Sequence, residues 1–600
     1  MKITINIIVT AILICSVSSC KKNFLNKIPD DDLTVDQVFA NRDYASNFLI
    51  NIYTQLPKEI VTADNVDNPF LSAADEMEQV YDASFSNNMN SGSWNPSSYV
   101  IDPWTKNYVG IRKANIFLDN IDKVPLDDYF TSSMKSRMKG EAIFLRAFFH
   151  FLLMRTYGPV PIEDKTLNFD SDFKSIRRQP IDKCVDFVVS ECDKAAALLP
   201  ARITAVTDYG RPPASAALAL KARVLLYMAS PLWNGNPDYS SFKDKDGIRL
   251  FPDYNAARWQ TAANAAKDCI DKTRAAGYDL YKSATNDPIA NYQEIFFKNN
   301  NQEVFFAYNA STYQDMDKYN DPRSLGGFGI NDPTQEQVDD YEMSNGTRPI
   351  LGYNADGSPI INSLSGYQET GVSATAGPNN IYVANTRNMY VNREPRFYAT
   401  ISFPGATWKT RTGGLELWFA GVDGRSNAGS GYYVKTGYIL RKHSDPSFSL
   451  NPLRLVNKTW IFFRLGEQYL NYAEALNEAQ GPVSDVYSYV NQIRSRAGLP
   501  GVTPGLSKDQ MRVAIRHERR IELAFETHRY FDCHRWKIAE VTDNTTISGL
   551  NINQGTSLTD DIFYKRTIVE KRVFEKKHYL WPMQQREIDK NPNLVQNPGW

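Results

Sequence analysis

Glu518, Glu522 and Glu526 recur every four residues within Ile515–Trp536, so on a helix they would form one stripe. Carboxylates spaced in this way are the groups from which glycoside hydrolases build an acid/base pair. The same segment holds Arg516, Arg519, Arg520, Arg529 and Arg535, and an arginine fork grips a carboxylate bidentately. An ion-paired helix locked against the core therefore accounts for the stripe without catalysis. On that reading the arginines serve these glutamates and Glu474 of a neighbouring helix.

Other catalytic chemistry is thinly represented. The six histidines form no HExxH pattern, and His517, His528 and His534 sit among arginines and glutamates, where pairing or exposure is expected. No GxSxG elbow is present, no cysteine has an evident histidine partner, and no glycine cluster forms a phosphate loop. A glycosidase carboxylate pair is set by separation in three dimensions, so a secreted hydrolase using a glutamate pair stays an alternative. The sequence predicts no turnover, no catalytic residue, no metal ligand and no cofactor.

Positioning falls to a long chain of mixed composition. With 67 basic and 68 acidic residues there is no global field to attract nucleic acid or anionic lipid. A hydrophobic content of 42% allows a large core, and 33 Tyr, 31 Phe and 10 Trp supply rings with an apolar face and, in Tyr and Trp, a polar handle. The negative mean hydropathy argues against a polytopic membrane protein.

The N-terminus reads as an export signal: Lys2, an apolar run, then Ser18-Ser19-Cys20. The cysteine after two small residues looks like a lipobox, with Val17 and Ser19 replacing the favoured leucine and alanine or glycine. Residues 1–19 are thus expected to be a lipoprotein signal, Cys20 the lipidated residue and 20–35 a tether. Cys184, Cys192, Cys269 and Cys533 form no CxxC pair and are expected to be buried thiols. Cys184 and Cys192, about 12 Å apart by helical rise, are too distant for a disulfide.

Helical periodicity marks Asp36–Leu56, Trp104–Ile121, Glu141–Tyr157, Ile181–Leu199, Ala214–Ala229 and Tyr254–Ala276 within an N-terminal region spanning 36–276. Glu141–Tyr157 is apolar nearly all round and is expected to be buried. Arg146 and Arg155 argue against its insertion in a bilayer. The interval 65–103, rich in Asn, Ser and Asp, reads as a long loop of the kind that is usually functional or disordered. Through 277–458 the helical pattern lapses apart from a strand at Gln302–Asn309, and such elaborated loops are where binding residues tend to sit. Helices return at Trp460 and run through 459–540, followed by a wrapped, non-helical tail that completes the 277–600 region.

Taken in order, FLRAFFHFLLMRTYGPVPI, ALKARVLLYMASPLWNG, RLGEQYLNYAEALN, VNQIRSRAGLP, ERRIELAFETHRYFDCHRW and the closing QNPGW resemble the SusD/RagB family of nutrient-binding outer-membrane lipoproteins of Bacteroidetes. The resemblance spans the chain from the lipobox to Trp600. It implies a mainly α fold, a tetratricopeptide-like superhelix of about four helix pairs with extensive loop-rich insertions and minor β structure. It also implies a lipid-anchored protein of the cell outer membrane, facing outward, that captures oligosaccharides or polysaccharides for a SusC-like TonB-dependent transporter. Some members bind peptides instead. Lys21 and Lys22 precede the acidic run Asp30–Asp32, a departure from the usual surface-export pattern.

The loop ahead of Trp104 resembles the ligand-contacting loop of starch-binding members, which makes Asp75, Tyr81, Trp94 and Asn95 candidate ligand residues. Tyr313, Tyr319, Trp408 and Trp418 come from the second loop-rich region. A glycan binder needs flat rings for the C–H face of a sugar and planar polar groups for its hydroxyls, and these residues supply both types. Equally, the aromatics could serve only to anchor long loops to the body.

Overall fold

In the computed structural model of the chain, the described residues are 33–59, 68–80, 84–168, 170–310, 315–429 and 431–600. Cys20, Tyr81 and Tyr313 lie outside them. The longer helices are α1 (Arg42–Tyr53), α2 (Pro103–Asn120), α3 (Ser132–Tyr157), α4 (Ile181–Leu198), α5 (Ala214–Ala229), α6 (Ala257–Ala275), α7 (Leu465–Gln480), α8 (Ser484–Arg496), α9 (Lys508–Glu522) and α10 (His528–Arg535). From α1 to α8 each helix packs on the next, and α7 also packs on α9. The outcome is a superhelix of consecutively packed helices, as the family resemblance implies.

Small residues set the spacing of this stack. A Cβ on Gly110 of α2 would lie 2.6 Å from the Phe149 ring of α3, so only glycine permits that crossing. The expected burial of α3 is met: its C-terminal two-thirds is almost wholly enclosed, and it stops at Gly158 with φ +74°. Its internal cations are satisfied by protein. Arg146 donates to Glu191 of α4 at 2.5 and 2.8 Å and to Asn115 of α2 at 2.8 Å, and Arg155 to Glu59 at 2.8 Å. Among the described residues no helix is long and apolar enough to cross a membrane.

Between α6 and α7 the chain leaves the superhelix and returns. Strands β2 (Val304–Ala310) and β4 (Lys458–Arg464) pair antiparallel, Val304 opposite Arg464 and Ala310 opposite Lys458. This ladder ties the two ends of the excursion together, so α7 can pack on α6 as though it followed directly. Phe306, Phe462 and Phe463 from the ladder meet Phe144 and Phe148 of α3, which joins the ladder to the main apolar core. The segment Trp460–Arg464, read from sequence as the start of a helix, is therefore strand. Its rings face partners across a sheet, and apolar periodicity over so short a run does not separate the two states.

The first loop is tied to the second by β1 (Met77–Gln79) pairing with β3 (Asn331–Pro333). The tail folds back, with Trp600 Nε1 donating to the carbonyls of Lys577 and Leu580 at 2.9 Å each. Cys184, Cys192, Cys269 and Cys533 are free and buried, as expected.

Candidate functional site

The charged segment that opens the question of catalysis is two helices. α9 ends at Glu522 because its last carbonyls are taken by side chains from elsewhere. Tyr292 Oη donates to the Glu522 carbonyl at 2.7 Å, Arg464 to the same oxygen at 2.9 Å, and Lys442 to that of Ala524 at 2.6 Å. Phe525 (φ 58°) and Thr527 (φ 65°) then turn the chain into α10. Glu526 is consequently off the helical stripe.

All three glutamates are buried and ion-paired, though with different arginines from those interleaved with them. Glu518 accepts from Arg396 at 2.5 Å and Arg494 at 2.9 Å. Glu522 lies among Arg464 at 2.8 Å, Arg396 at 3.1 Å and Arg496. Glu526 accepts from Lys442 at 2.7 Å and Arg464 at 2.8 Å. The segment's own arginines reach outward: Arg520 to Asp75 and Asp340, Arg529 to Asp75, Arg519 to Asp532, and Arg535 to Glu474 as expected. Arg516 stacks 4.6 Å over the ring of Trp536. Burial alone would raise the three carboxyl pKa values, but the surrounding cations outweigh it and hold Glu518, Glu522 and Glu526 below the ordinary range. Permanently ionised and enclosed, none can act as a general acid.

Several sequence-predicted ligand residues occupy structural positions. Asp75 is buried, its oxygens taken by Arg529 at 2.7 and 2.8 Å and Arg520 at 2.5 Å. Asp75, Cys533 and Asp543 come together within 4.8 Å, but those two guanidiniums already neutralise the cluster. Trp94 is 4% exposed, with its ring edge-on to Trp581 at 5.1 Å and Trp600 at 4.8 Å. It anchors the first loop to the tail and has no face to offer a sugar. Trp94→Ala is accordingly expected to lose about 3 kcal/mol of stability with ligand affinity unchanged, checked by denaturant titration alongside binding. Asn95 is exposed, but its Oδ1 accepts from the amides of Ser97 and Ser98 at 2.9 and 3.0 Å, closing a turn. Trp418 is half-buried against the core. Tyr319 packs on Phe328 at 5.9 Å, on the short helix Asp315–Asn320.

Among the described candidates only Trp408 lines a cleft of about 1200 Å³ walled by the second loop region. Trp408 and Arg411 exchange backbone hydrogen bonds at 3.2 and 2.9 Å, making a tight turn whose tip is Lys409 (φ 52°) and Thr410. A positive φ at lysine is costly, and the turn is pinned by Asp321, which accepts from Trp408 Nε1 at 3.0 Å and Lys409 Nζ at 2.6 Å. Burial raises the Asp321 pKa against the pull of Lys409. The Trp408 indole is 3% exposed, and Arg441 lies 4.2 Å over its ring. Trp408 thus presents a guanidinium to the cleft rather than its own face.

The remaining walls carry exposed Asn379, Asn380, Thr410, Thr412, Ser447 and Asn451, amide and hydroxyl groups able to both donate and accept. Sequence reasoning found Trp408 but missed Asp321, Arg323, Arg441 and Arg454. The adjoining Trp408-Lys409-Thr410-Arg411, an aromatic inside a basic turn, was the one local signal. A second, smaller hollow of about 370 Å³ lies between α2 and the tail, with Trp104, Ile111, Phe173 and Leu594 among its walls and Arg112, Glu163, Lys165, Glu587 and Lys590 also lining it.

A helical scaffold thus carries a polar cleft walled by loops. The model of the SusD family matches residues 287–600, and a second model, described as "Starch-binding associating with outer membrane", matches 23–226. The chain belongs to the SusD family. It is 22% identical over 559 residues to SusD-like protein P25 of Formosa agariphila, covering 89% of this chain and 90% of that one. Its fold superposes on BT4246 with a TM-score of 0.81 at 25% identity, over 93% of this chain and all of that one (100%). It also superposes on a laminarin-binding SusD-like protein with a TM-score of 0.55 at 19% identity, over 93% of this chain and 100% of that one.

Proposed function

We propose that the protein is a non-catalytic glycan-binding lipoprotein of the outer membrane that takes oligosaccharides into the loop cleft and delivers them to a SusC-like TonB-dependent transporter. The observation that carries this reading is the cleft itself: wide, open, and walled by exposed amides and hydroxyls on rigidly pinned loops. Such groups replace the water around sugar hydroxyls without a large ordering cost. Membership of the SusD family, the starch-binding description attached to residues 23–226 and the laminarin-binding structural neighbour support it. The lipobox at Cys20 supplies the anchor, outward display lets the cleft meet its ligand, and the superhelix is the face for the transporter.

The cleft's carboxylates support the non-catalytic part of this reading. Among the described residues the cleft's lining includes a single carboxylate, Asp321, held by Lys409 and Trp408, whereas glycoside hydrolysis needs two. Purified protein titrated with a panel of oligosaccharides is expected to retain at least one class with no release of new reducing ends. Reducing-end release would establish a hydrolase, and retention of peptides alone would establish the peptide-binding alternative.

A further inference from the structure

Resting on the glycan reading above, we infer that the cleft selects acidic oligosaccharides, chains bearing uronate carboxylates or sulfate esters, and that Arg441 is the group that grips the oxyanion. Charge is the first argument. Arg323, Lys409, Arg441 and Arg454 line the cleft against one acid, Asp321. Asp321 is fully engaged by Lys409 and Trp408. In a chain with 67 basic and 68 acidic residues, this local excess is a property of the site and not of the protein, and a cationic cleft concentrates anionic ligands.

The second argument is the state of Arg441. Elsewhere in this fold buried guanidiniums are well supplied with acceptors: Arg396, Arg464, Arg494 and Arg496 each meet two or more carboxylates, and Arg178 and Arg393 each donate to three backbone carbonyls. Among the described residues Arg441 meets no carboxylate. It is half-buried over Trp408, donates one hydrogen bond, to the Thr407 carbonyl at 3.3 Å, and its buried Nε has no partner. Burial lowers its pKa to about 10, which leaves it charged. A partly desolvated, unpaired cation is unfavourable in the free protein. An incoming carboxylate or sulfate would relieve that cost and meet a planar fork already oriented by the indole beneath it.

Arg323 donates Nε to the Asn427 carbonyl at 3.1 Å, and Arg454 is exposed on the strand Leu453–Arg454; neither has a carboxylate partner among the described residues. Both extend the basic wall beyond Arg441, so a ligand carrying charges on successive sugars would be read at more than one point.

The test is calorimetric titration of the full chain with three oligosaccharide probes of matched length: neutral β-glucan, oligogalacturonate and a sulfated galactan, with oligoglutamate as a peptide control. At least one acidic glycan is expected to bind about tenfold or more tighter than the neutral one. That preference should fall by about tenfold when salt rises from about 0.05 to about 0.5 M. Arg441→Gln should cost about tenfold for the acidic probe alone, and Arg454→Gln, on an exposed side chain whose loss leaves the fold intact, should weaken the same probe. Which acidic probe binds identifies the oxyanion. Neutral glycan bound as tightly as acidic, with both variants inert, would overturn the inference while leaving the glycan reading intact. Oligoglutamate bound with every glycan refused would overturn both.

Discussion

Replacing Glu522 with glutamine is expected to destabilise the protein by about 3–5 kcal/mol without weakening ligand affinity of the molecules that remain folded. Glu522 is fully buried and shared by Arg396, Arg464 and Arg496. Those guanidiniums come from the loop region, from β4 and from α8 respectively, so the carboxylate neutralises three separate elements at once. Glutamine keeps the shape and removes the charge, leaving buried cations under-compensated. Glu303 can offset part of the loss, since it also accepts from Arg464 at 2.8 Å and Arg496 at 3.0 Å. Asp268→Asn on α6 is the control. Its pair with Lys272 at 2.9 Å is largely exposed, and such surface pairs contribute at most about 1 kcal/mol. Chemical denaturation of both variants is the measurement; equal and small losses would refute the network's structural role.

Acid is the second strong lever, and the sign depends on three groups of residues. All six histidines are buried or nearly so. Desolvation depresses His150, His517 and His578 to about 4 and His443 and His534 to about 3, and it holds His528 well below its ordinary value. The unfolded chain therefore binds their protons first, and the stability they contribute declines as pH falls below about 6.5. Buried carboxyls run the other way: desolvation raises Glu76, Glu336, Glu342, Asp543 and Glu570 to about 7. The folded state takes up these protons before the unfolded chain does, which favours folding as pH falls from about 7 to about 4.5. Over that window the two sets oppose, and stability should change little.

Below it they no longer cancel. Asp75, Glu78, Asp340, Glu474, Glu518, Glu522 and Glu526 stay ionised in the folded protein, because neighbouring cations outweigh the upward push of burial. Their contribution is complete above the unfolded carboxylate pKa and is lost as pH falls toward the depressed folded values, in the same range where the histidines also destabilise. The combined slope is at least about 5 kcal/mol per pH unit, comparable to the whole stability of an ordinary domain. Melting temperatures should be nearly level from pH 7 to 5 and collapse near about pH 4. A Tm held constant to pH 3 would contradict the assigned protonation states.

Helix positions were readable because they depend on local pattern. Ala214–Ala229 has the boundaries expected, and Ile181–Leu198 differs by one residue. The break between Glu522 and His528 was not readable, since it is dictated by Tyr292, Lys442 and Arg464, each distant in the chain. Pairing of Glu518, Glu522 and Glu526 was legible as chemistry but not as partnership. Arg396, Arg464, Arg494 and Arg496 carry no mark in sequence that assigns them to α9. The same limit applies to the site. Trp94 and Trp408 look alike as residues in loops, yet the tail buries the first while the second sits in the cleft wall beneath Arg441. Asp75 likewise belongs to a loop of the expected kind, but Arg520 and Arg529 claim it.

The central claim is that ligand occupies the cleft around the Trp408–Arg411 turn. Thr410 is exposed at the tip of that turn and lines the cleft, so a tryptophan there would fill space without entering the core. Titrating Thr410→Trp with the oligosaccharide that the unaltered protein retains tests the claim most directly. Loss of binding by about a hundredfold with an unchanged Tm is the result expected, and undiminished affinity would place the ligand elsewhere.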